Sequence, residues 1–382
     1  MRLFLTDNSF KIHGQVYTGV PFLVDDEMAL VNAPNDYLFY VSVVKGRTAS
    51  TNTWQTYGNH LYEFFGFLEA NDLRWDNINQ THLAAWRDSM LARGCARSTA
   101  NQRLSAVSNF YKWALRESLM HCLPFQTEEV WIAKPAGFLA HVDAKGNRFQ
   151  ANELTLRTTK ALPKFLLTED ARKFVTSLTP RRNRLMSYLM WLCGLRREEV
   201  AALNMKVLPN PSGHAQGKGL RMTLDAKITP TKGSKTRWVL VPYDLAVQLW
   251  DYMMFERSGL MKLYQKKHGK AGTDLLFLTE YGNPISLEGI NNAFRKASEK
   301  SGVKCTPHML RHTFGTYEFM RMSERKNTES ALHWVRDRMG HSSITTTEVY
   351  VHAADLVSHD EIDGYQAEIC ELLRDDSNGR SA

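Results

Sequence analysis

From about residue 50 onward the apolar residues of this chain recur at intervals of three and four. That period leaves one choice of element, a helix with a single buried face. Trp54, Tyr57, Leu61, Phe64 and Leu68 fall on one stripe, and the pattern breaks at Asn71-Asp72. The next helix is expected to open on Thr81 as N-cap, turn Leu83, Trp86, Met90 and Leu91 inward and stop at Gly94. A third, from near Thr99, gathers Leu104, Val107, Tyr111 and Leu115. Its other faces carry Arg97, Arg103, Lys112 and Arg116. Taken alone, such charges are a solvated face; in a basic chain they also suit phosphates.

The flanking segments read differently. Residues 1–49 alternate weakly (Leu3/Leu5, Phe22/Val24) between Gly14, Gly19 and Pro21, and form an extension of unknown role. Residues 50–124 are the helical domain. Residues 125–162, with Lys134, Lys145, Arg148, Arg157 and Lys160, read as a basic linker with a strand or two. A second domain spans 163–355. It opens on a helix starting at Thr168-Glu169-Asp170, and a further helix buries Leu185, Leu189 and Leu192. A hairpin follows, in which Leu220, Met222 and Leu224 alternate and residues 236–241 return after the turn Lys232-Gly233-Ser234-Lys235. The tail, 356–382, places Ile362, Tyr365, Ile369 and Leu372 at helical spacing.

Composition narrows the class. The net charge of +8 leans toward polyanions. Five scattered cysteines without a C-x-x-C pair argue against a disulfide framework or a zinc site and suit a reducing cytosol. The N-terminal residues make no signal-peptide core, and no apolar run reaches membrane-spanning length.

Four local signals occur in order: Gly194-Leu195-Arg196-Arg197-Glu198-Glu199, Thr231-Lys232-Gly233-Ser234-Lys235-Thr236-Arg237, His308-Met309-Leu310-Arg311-His312, and Gly340-His341 with Tyr350 nine residues on. Singly they are a helix junction with a surface ion pair, turn chemistry, a polar helix face and a buried tyrosine. Together, in this order and spacing, they resemble the tyrosine recombinases, the phage-integrase family. The match carries Arg196 with Glu199, Lys232, His308 with Arg311, His341 and Tyr350. Leu162-Pro163-Lys164 leading to Leu167-Thr168-Glu169 resembles the family's entry to its catalytic domain, and Thr51 to Pro124 its helical core-binding domain. The interval from Arg311 to His341 is longer than in compact members, with a polar insert around Met322 to Ser330 that lengthens a helix or adds a loop.

The chemistry fits. Direct attack on a phosphodiester puts extra negative charge on a five-coordinate phosphorus, and two guanidiniums match it. Arg196 and Arg311 are that pair. Tyr350 is the nucleophile, and a 3′-phosphotyrosine conserves bond energy, so neither ATP nor a metal or other cofactor is called for. The resemblance implies Lys232 as general acid for the leaving 5′-oxygen. It implies His308 assisting proton removal from Tyr350 and His341 donating a hydrogen bond, with Glu199 orienting the site. Arg97, Arg103, Lys112, Arg197, Lys235 and Arg237 are the candidate DNA contacts, and His312 is read as packing or a phosphate contact.

The fold implied is mainly α, a two-domain C-shaped DNA clamp: a helical core-binding domain and a mixed α/β catalytic domain with a small antiparallel sheet. The implied partners are double-stranded DNA, three further copies in a tetramer, and accessory DNA-bending or directionality proteins. The implied setting is a bacterial cytoplasm, at the nucleoid when bound. The biological act expected is integration, excision or transposition of a mobile element, toward which the atypical N-terminus and the polar insert lean, with chromosome or plasmid dimer resolution as the alternative. A type IB topoisomerase, which relaxes supercoils without forming recombinants, is a rival reading. A DNA-binding protein with an inert site, which forms no covalent adduct, is another. The tail is expected to dock on a neighbouring copy or on its own catalytic domain.

Overall fold

Residues 1–46 pack with the helical domain rather than standing apart as an extension. Strands β1 (Arg2–Leu5), β2 (Lys11–Ile12), β3 (Gln15–Val16) and β4 (Pro21–Val24) form two antiparallel pairs, β1 with β4 and β2 with β3, and lead into α1 (Asn32–Phe39). The Asn35 side chain locks α1 to β4: it accepts from the Leu23 N–H at 2.7 Å and donates to the Leu23 carbonyl at 2.8 Å. Leu23 and Leu38 are fully buried in one cluster with Phe64, Trp86 and Phe110. The helix escaped the sequence reading because Asn32, Pro34, Asn35 and Asp36 are turn formers. Pro34 is tolerated because it lies in the first turn, where no N–H is needed.

The computed structural model describes residues 1–46, 50–131, 148–158, 164–229, 231, 235–269, 272–341, 347, 349–354, 369 and 371–374. It divides into two units, Met1–Lys160 and Ala161–Ala382, each with its own core. In the first, α2 (Thr51–Ala70), α3 (Gln80–Ala92) and α4 (Arg97–Arg116) bring their aromatic stripes together, with Phe64 and Trp86 rings 4.9 Å apart. Removing a side chain as large and as fully buried as Trp86 costs about 3–5 kcal/mol. The cap of α3 is Asn79, not Thr81. Its side chain accepts from the Thr81 and His82 N–H groups while His82 Nδ1 accepts from the Asn79 N–H, a reciprocal capping box. The basic segment contributes the antiparallel strands β5 (Thr127–Trp131) and β6 (Arg148–Asn152). It is pinned to α4 where Asn101 exchanges two hydrogen bonds with the Leu156 backbone, at 2.7 and 2.9 Å.

The second unit begins with α5 (Thr168–Ser177), whose early Glu169 and Asp170 suit the positive end of the helix. Helix α6 (Arg181–Cys193) departs from the expected stripe: every residue from Leu185 to Cys193 is buried, as befits a central helix covered on all sides. Then come α7 (Arg197–Ala201) and the strands β7 (Leu220–Leu224) and β8 (Arg237–Val241), paired antiparallel with Leu220 opposite Val241 and Leu224 opposite Arg237. The remaining helices are α8 (Tyr243–Asp251), α9 (Arg257–His268), α10 (Leu287–Ser301), α11 (Pro307–Ser323), α12 (Thr328–Met339) and α13 (Val349–Ala354). The polar insert is the turn between α11 and α12, closed by Asn327, which caps α12 by accepting from the Ser330 N–H at 2.9 Å.

In the tail, Ile369, Leu372 and Leu373 are buried in the second unit's own core, and Gln248 Nε2 donates to the Leu373 carbonyl at 2.6 Å. Ile362 and Tyr365 lie outside the described residues. Among the described residues no helix is long and apolar enough to cross a membrane. The fold is mainly helical with small antiparallel sheets.

Candidate active site

Two of the glycine-capped helix ends seat the site's cations. Helix α6 stops at Gly194 (φ 66°) and α12 at Gly340 (φ 62°), both left-handed. A helix C-terminus leaves carbonyls without partners and carries the negative end of the dipole, so guanidiniums belong there. Arg311, from α11, donates through Nη1 to the Gly194 carbonyl and through Nη2 to the Met339 carbonyl. Arg196 donates through Nη2 to the next carbonyl along, Gly340, at 2.9 Å. One turn of backbone therefore holds both guanidiniums. Burial and the neighbouring Arg196 push Arg311 down to about 9, opposed by Glu199, so it stays a cation at neutral pH.

Arg196 precedes α7, and Glu199 closes on it. Glu199 accepts from the Arg196 N–H at 2.8 Å and from Arg196 Nη1 at 3.1 Å. The same carboxylate takes both Nη atoms of Arg237, at 2.7 and 2.6 Å, and is 1% exposed. Burial alone would raise its pKa. The hydrogen bonds and charge of Arg237, with the Arg196 N–H and Arg311, override that and bring it down to about 2. Arg237, expected to face DNA, is therefore corrected to an interior residue: its side chain is 7% exposed and its Nε donates to the Arg338 carbonyl at 2.9 Å. It shares the inward face of β8 with Val239 and Val241, a period-two signal that was present in the sequence.

Tyr350, on α13, is fully buried, and its Oη lies 2.9 Å from Nδ1 of His312. The histidine in contact with this hydroxyl is His312, where the motif register had favoured His308. His308 is exposed one turn earlier on α11, its ring 4.2 Å from the His312 ring. Spacing of four on one helix puts both on the same face, a signal the sequence held without ranking them. The Tyr350 ring fits a notch at Gly315, where a Cβ would come within 2.5 Å of Tyr350 Cζ. His341 contacts Thr347 Oγ1 through Nδ1 at 3.0 Å, and its ring lies nearly parallel to the Tyr350 ring with centroids 6.2 Å apart.

Burial governs titration here. Burial, then His308 and Arg311, push His312 down to about 3. Burial, then Arg311 and Arg196, do the same to His341. Both are neutral at pH 7. Burial raises the Tyr350 phenol well above its usual range despite Arg311 and Arg196.

Lys232 lies outside the described residues, and Lys235 at the hairpin's edge is exposed. Arg197 is partly buried, donates to Asn291 Oδ1 at 2.9 Å and pairs with Glu198 at 2.7 Å. On α4, Arg97 and Lys112 are exposed, while Arg103 pairs with Glu63 at 3.3 Å.

Paired guanidiniums beside a tyrosine hydroxyl are the equipment of an enzyme that breaks and rejoins phosphodiesters. Residues 164–356 match the phage integrase family and residues 35–118 the N-terminal SAM-like domain of phage integrases. The chain belongs to the phage integrase family, the tyrosine recombinases. It is 25% identical over 317 residues to a tyrosine recombinase XerC of Listeria monocytogenes serotype 4b, covering 80% of this chain and 88% of that one. A XerH site-specific recombinase solved on a palindromic difH substrate shares the fold, with a TM-score of 0.54 at 18% identity over 86% of this chain and 83% of that chain. A lambda integrase dimer solved on a COC′ core site does so with a TM-score of 0.54 at 14% identity over 84% and 76%.

Proposed function

We propose that this chain is a site-specific DNA recombinase acting through a 3′-phosphotyrosyl intermediate on Tyr350. The observation that carries the reading is the seating of Arg196 and Arg311 on consecutive carbonyls of one turn, beside Tyr350. Tyr350 Oη attacks the scissile phosphorus, the O–P bond to tyrosine forms and the bond to the 5′-oxygen breaks. The phenol proton passes to His312, which is neutral and in contact and whose low basicity the approaching phosphate anion raises, with His308 supporting it. Lys232 protonates the leaving 5′-oxygen. Arg196 and Arg311 neutralise the equatorial oxygens, and His341, in the tautomer whose Nδ1 accepts from Thr347 Oγ1, donates a further hydrogen bond through Nε2–H. The reverse attack by a 5′-hydroxyl restores the phosphodiester, so the step as written uses no metal ion and no nucleotide. Because Tyr350 is buried, α13 must yield the ring when DNA docks.

Arg97, Arg103, Lys112, Arg197 and Lys235 are assigned phosphate contacts, of which exposed Arg97 and Lys112 are the strongest. Four copies act on two DNA sites, with accessory DNA-bending or directionality proteins as further partners, in a bacterial cytoplasm. The sites lie at the ends of a mobile element or at a replicon's dimer-resolution site. The lean toward a mobile element rests partly on an atypical N-terminus, and the packing of Leu23, Tyr37, Leu38 and Val41 into the first unit's core weakens it. Relatives named XerC favour the second kind of site. The test is recovery of genomic duplexes bound by the protein, followed by a plasmid carrying two copies of the best binder. Excision of the intervening segment supports the reading; relaxation of the plasmid without recombinants supports a topoisomerase instead.

A further inference from the structure

We propose that Arg237 is a positioning residue that keeps the phosphate site cationic by occupying Glu199. The inference rests on the proposed phosphoryl chemistry but concerns a residue outside its reacting set. Among the described residues Glu199 is the carboxylate that Arg196 hydrogen-bonds, and it is buried and ionised. Left with Arg196 alone, it would form a neutral pair with a cation the reaction needs. Arg237 prevents that by holding both carboxylate oxygens at 2.7 and 2.6 Å, closer than Arg196 Nη1 at 3.1 Å. The three guanidiniums of Arg196, Arg237 and Arg311 against one carboxylate leave a surplus of two positive charges, matched to a doubly charged phosphorane.

The same guanidinium also sets geometry. Its Nε donates to the Arg338 carbonyl, the residue before the Met339 and Gly340 carbonyls that seat Arg311 and Arg196. Its stem closes on Gly340, where a Cβ would lie 3.0 Å from Arg237 Cδ. Behind it, the Arg338 guanidinium makes cation–π contacts with the rings of Trp238 on β8, at 3.0 Å, and Trp334 on α12, at 4.0 Å. Arg237 thus ties the strand leaving the hairpin to Glu199 on α7 and to the end of α12. It reaches no substrate itself, being buried.

The experiment measures covalent adduct formation on a nicked duplex that the wild type cleaves, with duplex affinity and thermal melting followed in parallel. Arg237→Met removes one charge and should slow adduct formation about ten- to a hundredfold, with duplex affinity unchanged. Arg237→Lys restores the charge and should recover part of the rate. Pairing Arg237→Met with Glu199→Gln returns the surplus to two and should cleave faster than Arg237→Met alone, which a packing role would not produce. Arg237→Met cleaving at the wild-type rate would overturn the proposal, as would a double variant no faster than the single one. If Arg237→Met does not fold, Arg237→Lys set against Arg237→Gln decides on the same criterion: equal rates overturn it. A wild type that forms no adduct on any bound duplex would sink the proposed function instead, so the two failures are distinct.

Discussion

Gly194→Ala is expected to cripple the site from outside its reacting groups, and its size follows from two separate penalties. Gly194 sits at φ 66°, where an L side chain costs about 1–2 kcal/mol. An added Cβ would also lie 2.6 Å from Phe314 Cε1, where ordinary contact begins at 3.4 Å, so the ring must retreat by at least about 0.8 Å. Overpacking of that kind costs about 1–3 kcal/mol, giving about 2–5 kcal/mol in all. For a unit of this size that lowers the melting temperature by roughly 4–20 °C. Gly213→Ala is the control: its φ of 76° carries the same backbone penalty, and nothing lies within 4 Å of the added methyl. Because the Gly194 carbonyl seats Arg311 and Phe314 neighbours Gly315, cleavage should fall about a hundredfold, the cost of a misplacement near 1 Å. Melting curves and single-turnover adduct formation for the two variants settle it. Equal melting shifts, or a Gly194→Ala protein that cleaves normally, would refute the reasoning.

Three more outcomes follow. His312→Gln should slow adduct formation about a hundredfold or more while His308→Gln slows it less, because His312 lies 2.9 Å from the Tyr350 hydroxyl and His308 is an exposed residue one turn away; single-turnover rates compare them. His312 and His341 are held near 3 in the folded chain against 6.5 when unfolded, so the unfolded chain binds more protons between those values. Stability should therefore fall as pH drops from about 6.5 toward 3, by at most about 2 kcal/mol per histidine at pH 5, and urea denaturation at pH 7.5 and 5 should show a smaller loss in His341→Gln. Truncation before Ile369 uncovers the surface that Ile369, Leu372 and Leu373 bury, and should destabilise the isolated monomer by about 2–5 kcal/mol in urea denaturation. An unchanged monomer would mean that the tail does not hold to its own unit.

The helical frame was legible because its apolar residues are large and strictly periodic: Trp54 to Leu68 and Leu83 to Met90 face the core as their spacing required. Helix α1 was not, because Asn32, Pro34 and Asp36 carry turn chemistry and the helix depends on Asn35 gripping β4, a contact no local pattern encodes. The site's motifs were visible as spacing along the chain. Their ranking was not: which of His308 and His312 meets Tyr350 depends on how α13 crosses α11 at Gly315. Arg237 illustrates a different failure. Its charge and its place beside a basic turn outweighed the alternation with Val239 and Val241, yet a buried arginine needs only a buried acid, and Glu199 supplies it.

The most direct test of the account is a covalent trap. Nicked suicide duplexes drawn from the DNA the protein binds are incubated with wild type and with Tyr350→Phe, in EDTA, then denatured and resolved. The account predicts a denaturation-resistant adduct with the wild type only, joined through a 3′-phosphate. An adduct formed equally well by Tyr350→Phe, or one that EDTA abolishes, would contradict it.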